Sequence, residues 1–353
     1  PPAPAAPPAT APETPAPTDT ARRVIPDIAL PLDGLAAWQG RVELRAALAR
    51  IGGADWRDLQ ATIAQDAQVL HVAPFAVTTP GGPLRGEARI DRNPSPPTVA
   101  LALRSEGSGI DLAALRHARG EDVGIEGHAQ IAVDATARGA TTRALAATLT
   151  GEAGLALVDG RIDPAGLRRL GSDLLALLMP GAPRDGVALR CLALRVTADD
   201  GVATTSALLA ETSVGRITGR AAVNLRNETV AARLLPDVQI FGVAVRAPVG
   251  IGGTLAAPRI GVDPGRALAQ VIGDTVANRL WRDPSVEWLR GQPGGQPAAD
   301  CAEQLRLARM GADGPAPPAA AAMPATPAVP GIPRELQGPA QDILRGLFGG
   351  RPR

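Results

Sequence analysis

The sequence predicts a mainly β protein with a few α-helices: a curled antiparallel sheet forming an open β-groove from repeated strand-turn-strand units. Three observations carry this expectation. Apolar and polar residues alternate over most of the chain, which is the period of a strand with one apolar face. Turn residues interrupt the alternation at short intervals. A five-residue unit, apolar-x-Gly-x-Ala, recurs at 84–88 (LRGEA), 125–129 (IEGHA), 149–153 (LTGEA), 217–221 (ITGRA) and, with Leu last, 251–255 (IGGTL). The spacing is too uneven for a solenoid of fixed period.

The stretch 214–262 shows the pattern best. Ile217, Gly219, Ala221, Val223 and Leu225 fall on one side of an extended chain, and Arg216, Arg220, Asn224 and Arg226 mostly fall on the other. Asn227 supplies a turn, after which 230–235 returns as a partner strand. The segments GEARIDRNPSPPTVALALR (86–104) and GRAAVNLRNETVAARLL (219–235) share one plan: alternating strand, Asn-containing turn, second strand.

In chain order, residues 1–22 are Pro and Ala punctuated by Thr, a composition that favours an extended linker over packing. The groove domain is expected over 23–290. Val42, Leu44, Ala46 and Leu48 alternate, Gly52-Gly53 turns the chain into WRDLQATIAQD (56–66), Asp66 turns it again into 67–77, and Gly81-Gly82 leads into 84–90. Residues 109–117 (GIDLAALRH) read as a short helical turn or a crossing segment, 127–137 as a strand through Ala129, Ile131, Val133 and Ala135, and 145–161 as a strand pair turning near Gly151 and Gly160. Asp163-Pro164 and Asp263-Pro264 each place an N-cap before a proline at the first helical position. They open helices near 164–179, with Leu167, Leu170 and Leu174 on one face, and near 264–281, with Leu268, Val271 and Ile272. Strands are expected over 189–260 between them. Residues 291–310 form a docking segment with Cys301, 311–333 a second Pro/Ala-rich linker, and 334–353 a short amphipathic tail through Leu336, Ile343, Leu344, Leu347 and Phe348.

Composition excludes several functions. A formal net charge of +1, with both signs mixed along 353 residues, leaves no electrostatic footprint for nucleic acid. All 36 basic residues are Arg, which excludes a P-loop lysine and a lysine Schiff base. With four Trp, three Phe and no Tyr, the apolar face has few rings, so either it packs loosely or the chain has a compositional bias towards Ala, Arg, Gly and Pro. No apolar run of about 18 residues marks a transmembrane helix. The chain begins with Pro and has no signal peptide, as expected of a fragment whose own N-terminus lies upstream.

No catalytic constellation is found, and an enzyme is not expected; neither is a metal or another cofactor. His71, His117 and His128 lack metal-ligand spacing, Ser108 belongs to a turn and not to a GxSxG elbow, and Gly250, Gly252 and Gly253 are not followed by a capped helix. Asp199-Asp200-Gly201 and Asp159-Gly160 read as hairpin turns, since calcium-loop spacing is missing. Cys191 and Cys301, the only two cysteines, are compatible with buried thiols or with a disulfide.

Five segments carry a family resemblance. They are QATIAQDAQVLHVAPFAV (60–77), LRGEARID (84–91), TLTGEAGLALVDGRIDPAGL (148–167), LRCLALRVTADDGVATTSALLAETSVGRITGRAAVNLRNETVAARLLP (189–236) and VRAPVGIGGTLAAPRIGVDP (245–264). In this order they resemble the C-terminal periplasmic region of AsmA-family proteins of Gram-negative bacteria, over about 24–305. The motifs are loose one by one and specific mainly in their order. The resemblance implies an upstream inner-membrane anchor, a place on the periplasmic face of the inner membrane, and a role in outer-membrane biogenesis and the regulation of protein targeting to membrane. Larger TamB-like relatives are similar to chorein-type lipid transfer proteins. It also implies a Cys191–Cys301 disulfide. Two departures stand against it: the anchor helix is not in this sequence, and the chain is too short to bridge the periplasm alone.

Two functions follow as expectations. In the first, the apolar face binds phospholipid acyl chains through Leu84, Ala88, Ile90, Leu101, Leu103, Ile131, Val133, Ile217, Val223 and Leu225, each buried methylene contributing about 0.8 kcal/mol. In the second, the protein is a non-catalytic periplasmic scaffold whose sheet edge binds an envelope protein partner.

Overall fold

Among the described residues, period-two alternation becomes fifteen strands in one antiparallel sheet. The computed structural model describes residues 23–32, 38–120, 124–163, 186–240, 243–245, 248–261 and 300–319. The linker 1–22, the helices expected near 164–179 and 264–281, and the tail 334–353 lie outside the described residues.

The elements in chain order are β1 (Gly40–Ile51), β2 (Ala54–Gln65), β3 (Val69–Thr79), β4 (Gly82–Asp91), β5 (Thr98–Ser105), β6 (Ile110–Asp111), α1 (Leu112–Ala118), β7 (Ile125–Arg138), α2 (Thr142–Ala147), β8 (Thr150–Ile162), β9 (Val187–Asp199), β10 (Val202–Thr212), β11 (Gly215–Asn224), β12 (Thr229–Ile240), β13 (Val243–Val245), β14 (Val249–Gly253), β15 (Pro258–Ile260) and α3 (Cys301–Ala308). Sequence neighbours pair almost throughout, in the order β1-β2-β3-β4-β5-β7-β8-β9-β10-β11-β12-β14-β15, with β6 beside β7 and β13 beside β12. β1 pairs only with β2, and β15 only with β14, among the described residues. The sheet is therefore open and does not close into a barrel.

Short polar side chains hold the turns. Asp66 accepts the Gln68 and Val69 N–H groups at 2.8 and 2.7 Å, which reverses the chain between β2 and β3. Asn224 does the same after β11, accepting from the backbone of Arg226 at 2.9 Å. At the same end of the sheet the buried carboxylate of Glu228 accepts the Val24 N–H at 2.5 Å and so ties down residues 23–32.

The segment 145–161 corrects the sequence reading. It holds no strand pair: α2 ends at Ala147, and one strand, β8, runs through both Gly151 and Gly160. Thr141 caps α2 by accepting the Ala144 N–H at 3.2 Å, and the Arg-Ala-Leu-Ala-Ala run that follows is rich in good helix formers. Gly151 marks a close approach instead of a turn. Its φ is +140°, and a β-carbon there would collide with the Asp134 carbonyl of β7. Asp159, at φ +51°, likewise sits inside β8 and not at a hairpin, whereas Asp200 and Gly201 do form the turn expected of them, at φ +44° and +79°. The segment 109–117 resolves into β6 followed by α1, with Asp111 accepting the Ala113 and Ala114 N–H groups as N-cap.

Residues 311–319, expected in the second linker, lie along the sheet. The Asp313 carbonyl accepts from Gln130 at 2.8 Å and the Pro318 carbonyl from Arg190 at 2.6 Å. Arg309, whose pKa is lowered by burial and partly restored by Asp313, donates to Gln130 and to the Pro315 carbonyl.

Candidate functional site

Residues opposite one another in an antiparallel pair carry their side chains on the same face, so register alone sorts the sheet into two faces. Ala88 of β4 stands opposite Leu101 of β5, which stands opposite Ala135 of β7. Leu103 stands opposite Val133, and Val133 and Ile131 opposite Ala153 and Leu155 of β8. Leu155 faces Leu194 of β9, which faces Leu208 of β10. Ala210 and Ala203 of β10 then face Ile217 and Val223 of β11. With Leu84 and Ile90 in alternation on β4, nine of the ten expected residues share one face.

Leu225 is the exception in position. It lies one residue beyond β11, in the turn, where its N–H donates to the Gly201 carbonyl at 2.8 Å. Alternation in the sequence runs through Leu225 because nothing in its spacing reveals that Asn224 ends the ladder.

The face continues past the named residues in both directions. Val42 and Leu44 of β1 stand opposite Ile63 and Ala61 of β2, which stand opposite Val72 and Phe75 of β3, and these in turn opposite Ala88 and Gly86. On the other side Gly219 leads through Leu234 to Val249, and Ala221 through Ala232 to Ile251 and Ile260. Two glycines of the recurring unit make room on this face, Gly86 beneath the Phe75 ring and Gly219 beneath Leu234. At about 4.8 Å per strand, the face spans roughly 60 Å across the sheet. Charged side chains reach this face at the β1–β2 end, where Arg50 stands opposite Asp55 and forms an ion pair with it at 2.9 Å, and Arg57 stands opposite Leu48.

Exposure divides the face in two. Towards β1 it is open, with Leu44 43% and Leu101 37% exposed, whereas from β8 to β14 buried residues such as Leu157 at 3% and Ile217 at 6% alternate with half-buried ones such as Leu194 and Val223. Leu112 of α1 packs there against Ala129, Leu157 and Leu189. One polar group stands out at the edge of the open half. Gln65 is buried, and neither its amide oxygen nor its nitrogen has a hydrogen-bond partner.

The back of the sheet is of another kind. Arg195 pairs there with Glu152 at 2.6 Å, and charged residues dominate β4. On β8, β9 and β10 the back turns apolar. There Ala156, Val158, Cys191, Ala193 and Leu209 form one buried cluster with Cys301, Leu305 and Ala308 of α3. Cys191 and Cys301 form a disulfide with Cα atoms 6.5 Å apart, which fastens α3 to the face opposite the apolar one. The nearby Glu211 carboxylate is held by Arg190 at 2.9 Å and Arg216 at 3.4 Å; with both sulfurs joined, this group is not a metal site.

The sequence reading omitted Leu155, Leu192, Leu194 and Leu208 from the face. The alternation that would have identified them is masked, because β8, β9 and β10 are apolar on both sides. A two-sided apolar strand is itself a signal, since it requires a cover on the back. Comparison of the chain with family models, curated proteins and solved structures finds no match.

Proposed function

We propose that this protein is an AsmA-like component of the Gram-negative cell envelope that holds phospholipid acyl chains against the apolar face of its sheet. One observation carries the reading: register aligns apolar side chains from β1 to β15 on a single face, charged only where Arg50, Asp55 and Arg57 meet at one end of β1 and β2, and the part of that face towards β1 is open to solvent. An acyl chain needs only such a surface, because its affinity comes from methylenes removed from water, about 0.8 kcal/mol each. A Cys191–Cys301 disulfide is in keeping with an oxidising compartment such as the periplasm. The inner-membrane anchor, the place on the periplasmic face and the part in outer-membrane biogenesis follow from the AsmA resemblance.

The test compares two substitutions in protein purified with its bound lipid. Val223→Asp puts a charge on the partly exposed apolar face, and Leu209→Asp puts one in the closed cluster beneath α3. Phospholipid per chain, measured by mass spectrometry after extraction, should fall in the Val223 variant while its melting temperature stays near that of the parent. The Leu209 variant should fail to fold. A folded Val223 variant that retains its lipid overturns the assignment of this face, and one that unfolds favours the scaffold reading, in which the same face is a closed core.

A further inference from the structure

The two edges of the sheet are built differently. β15 is three residues long and begins with a proline, which cannot donate to a further strand. β1 is 12 residues long, without proline, and almost all of it is exposed. Natural sheets blunt their free edges with short strands, prolines or charges pointing inward. β1 carries one such charge, Arg50 next to its last residue, already paired with Asp55 of β2; its other charges, Arg41, Glu43 and Arg45, are on the back, while Val42 and Leu44 line the apolar face.

From this asymmetry we propose that β1 is an interface, and that its occupant is the β1 strand of a second copy of this chain, paired antiparallel about a two-fold axis at Leu44. Register decides the case. A shift by one residue would set the apolar face of one copy against the charged face of the other. Among the remaining registers, centring on Glu43 opposes Glu43 to itself and Arg41 to Arg45, centring on Arg45 opposes Arg45 to itself, and centring on Val42 opposes Arg41 to Glu43 but pairs only residues 40–44 of the strand, against 40–48 for Leu44. Centring on Leu44 opposes Glu43 to Arg45 twice, Val42 to Ala46 twice and Leu44 to Leu44. Within one chain Arg45 and Glu43 are 3.6 Å apart and both solvent-exposed, so each is free to take the partner's charge. The axis is perpendicular to the sheet, so the two apolar faces join into one surface of double width.

The experiment uses the full chain with lipid removed, so that its result does not depend on the lipid-binding reading. Sedimentation over a range of concentrations should show the mass of two chains. Glu43→Arg sets arginine against Arg45 at two symmetric places and should weaken dimerisation about tenfold; so should Arg45→Glu. The double swap, Glu43→Arg with Arg45→Glu, should restore it. Leu44→Cys should cross-link the dimer on mild oxidation, because opposed Cα atoms in an antiparallel pair are about 4.5–5.5 Å apart. A chain that remains monomeric at high concentration overturns the proposal. So does a dimer unaffected by the single charge reversals, or one that Leu44→Cys fails to cross-link.

Discussion

Gly154 of β8 lies directly beneath the last turn of α3, so close that a β-carbon on it would run into the carbonyl oxygen of Ala308. That contact, on the back of the sheet, sets the depth at which α3 beds down and brings Cys301 to Cys191.

Gly154→Ala should therefore lift α3 from the sheet. The expected loss is about 1–3 kcal/mol, the usual range for overpacking a well-filled site. Urea denaturation reads it, and an unchanged midpoint would show that α3 yields without strain.

The disulfide closes a sequence separation of 110 residues. In the chain-entropy model such a loop is worth about 4–5 kcal/mol. Replacing both cysteines with Ala should lower the denaturation midpoint accordingly. The same change should leave lipid retention intact, since the bond is on the back face.

Gln65 buries an amide with no partner on the apolar face of β2. An unsatisfied buried group costs about 1–3 kcal/mol, so Gln65→Leu, of similar volume, should raise stability by roughly 1 kcal/mol or more. A loss of stability would mean that the amide is bonded in solution, by water or ligand.

Acid should loosen the β2–β3 turn. N–H donation from Gln68 first, and then from Val69, holds the Asp66 pKa below its ordinary value. A group depressed in this way contributes fully above the usual aspartate range and loses its contribution as pH falls through the lower, folded-state value. Hydrogen-exchange protection of the Val69 amide should fall in that acidic window, and in Asp66→Asn it should show no such dependence. Protection that is independent of pH in the parent chain would refute the role of the carboxylate.

Much of this molecule is a consequence of local sequence. Period-two alternation produces strands with one apolar face, and short turns carrying Asp66, Gly81-Gly82 or Asn227 force neighbours to pair antiparallel in chain order. Nine of the ten face residues follow from those two facts, because each needs only its own strand and the next to be placed. Where a feature depends on residues far apart in the chain, the sequence alone did not decide it. Placing α3 on the back of β8–β10 depends on the burial of Ala156, Ala193 and Leu209 with Leu305, and no local pattern says which side of a strand apolar on both faces receives the cover. The bare residues likewise left the pairing of Cys191 with Cys301 open, since cysteine spacing carries no information about which β-carbons are brought within reach. Gly151 and Asp159 were read as turns for the same reason. Their strand continues because β7 and β9 pair along it on either side, and that constraint exists only once the whole sheet has assembled.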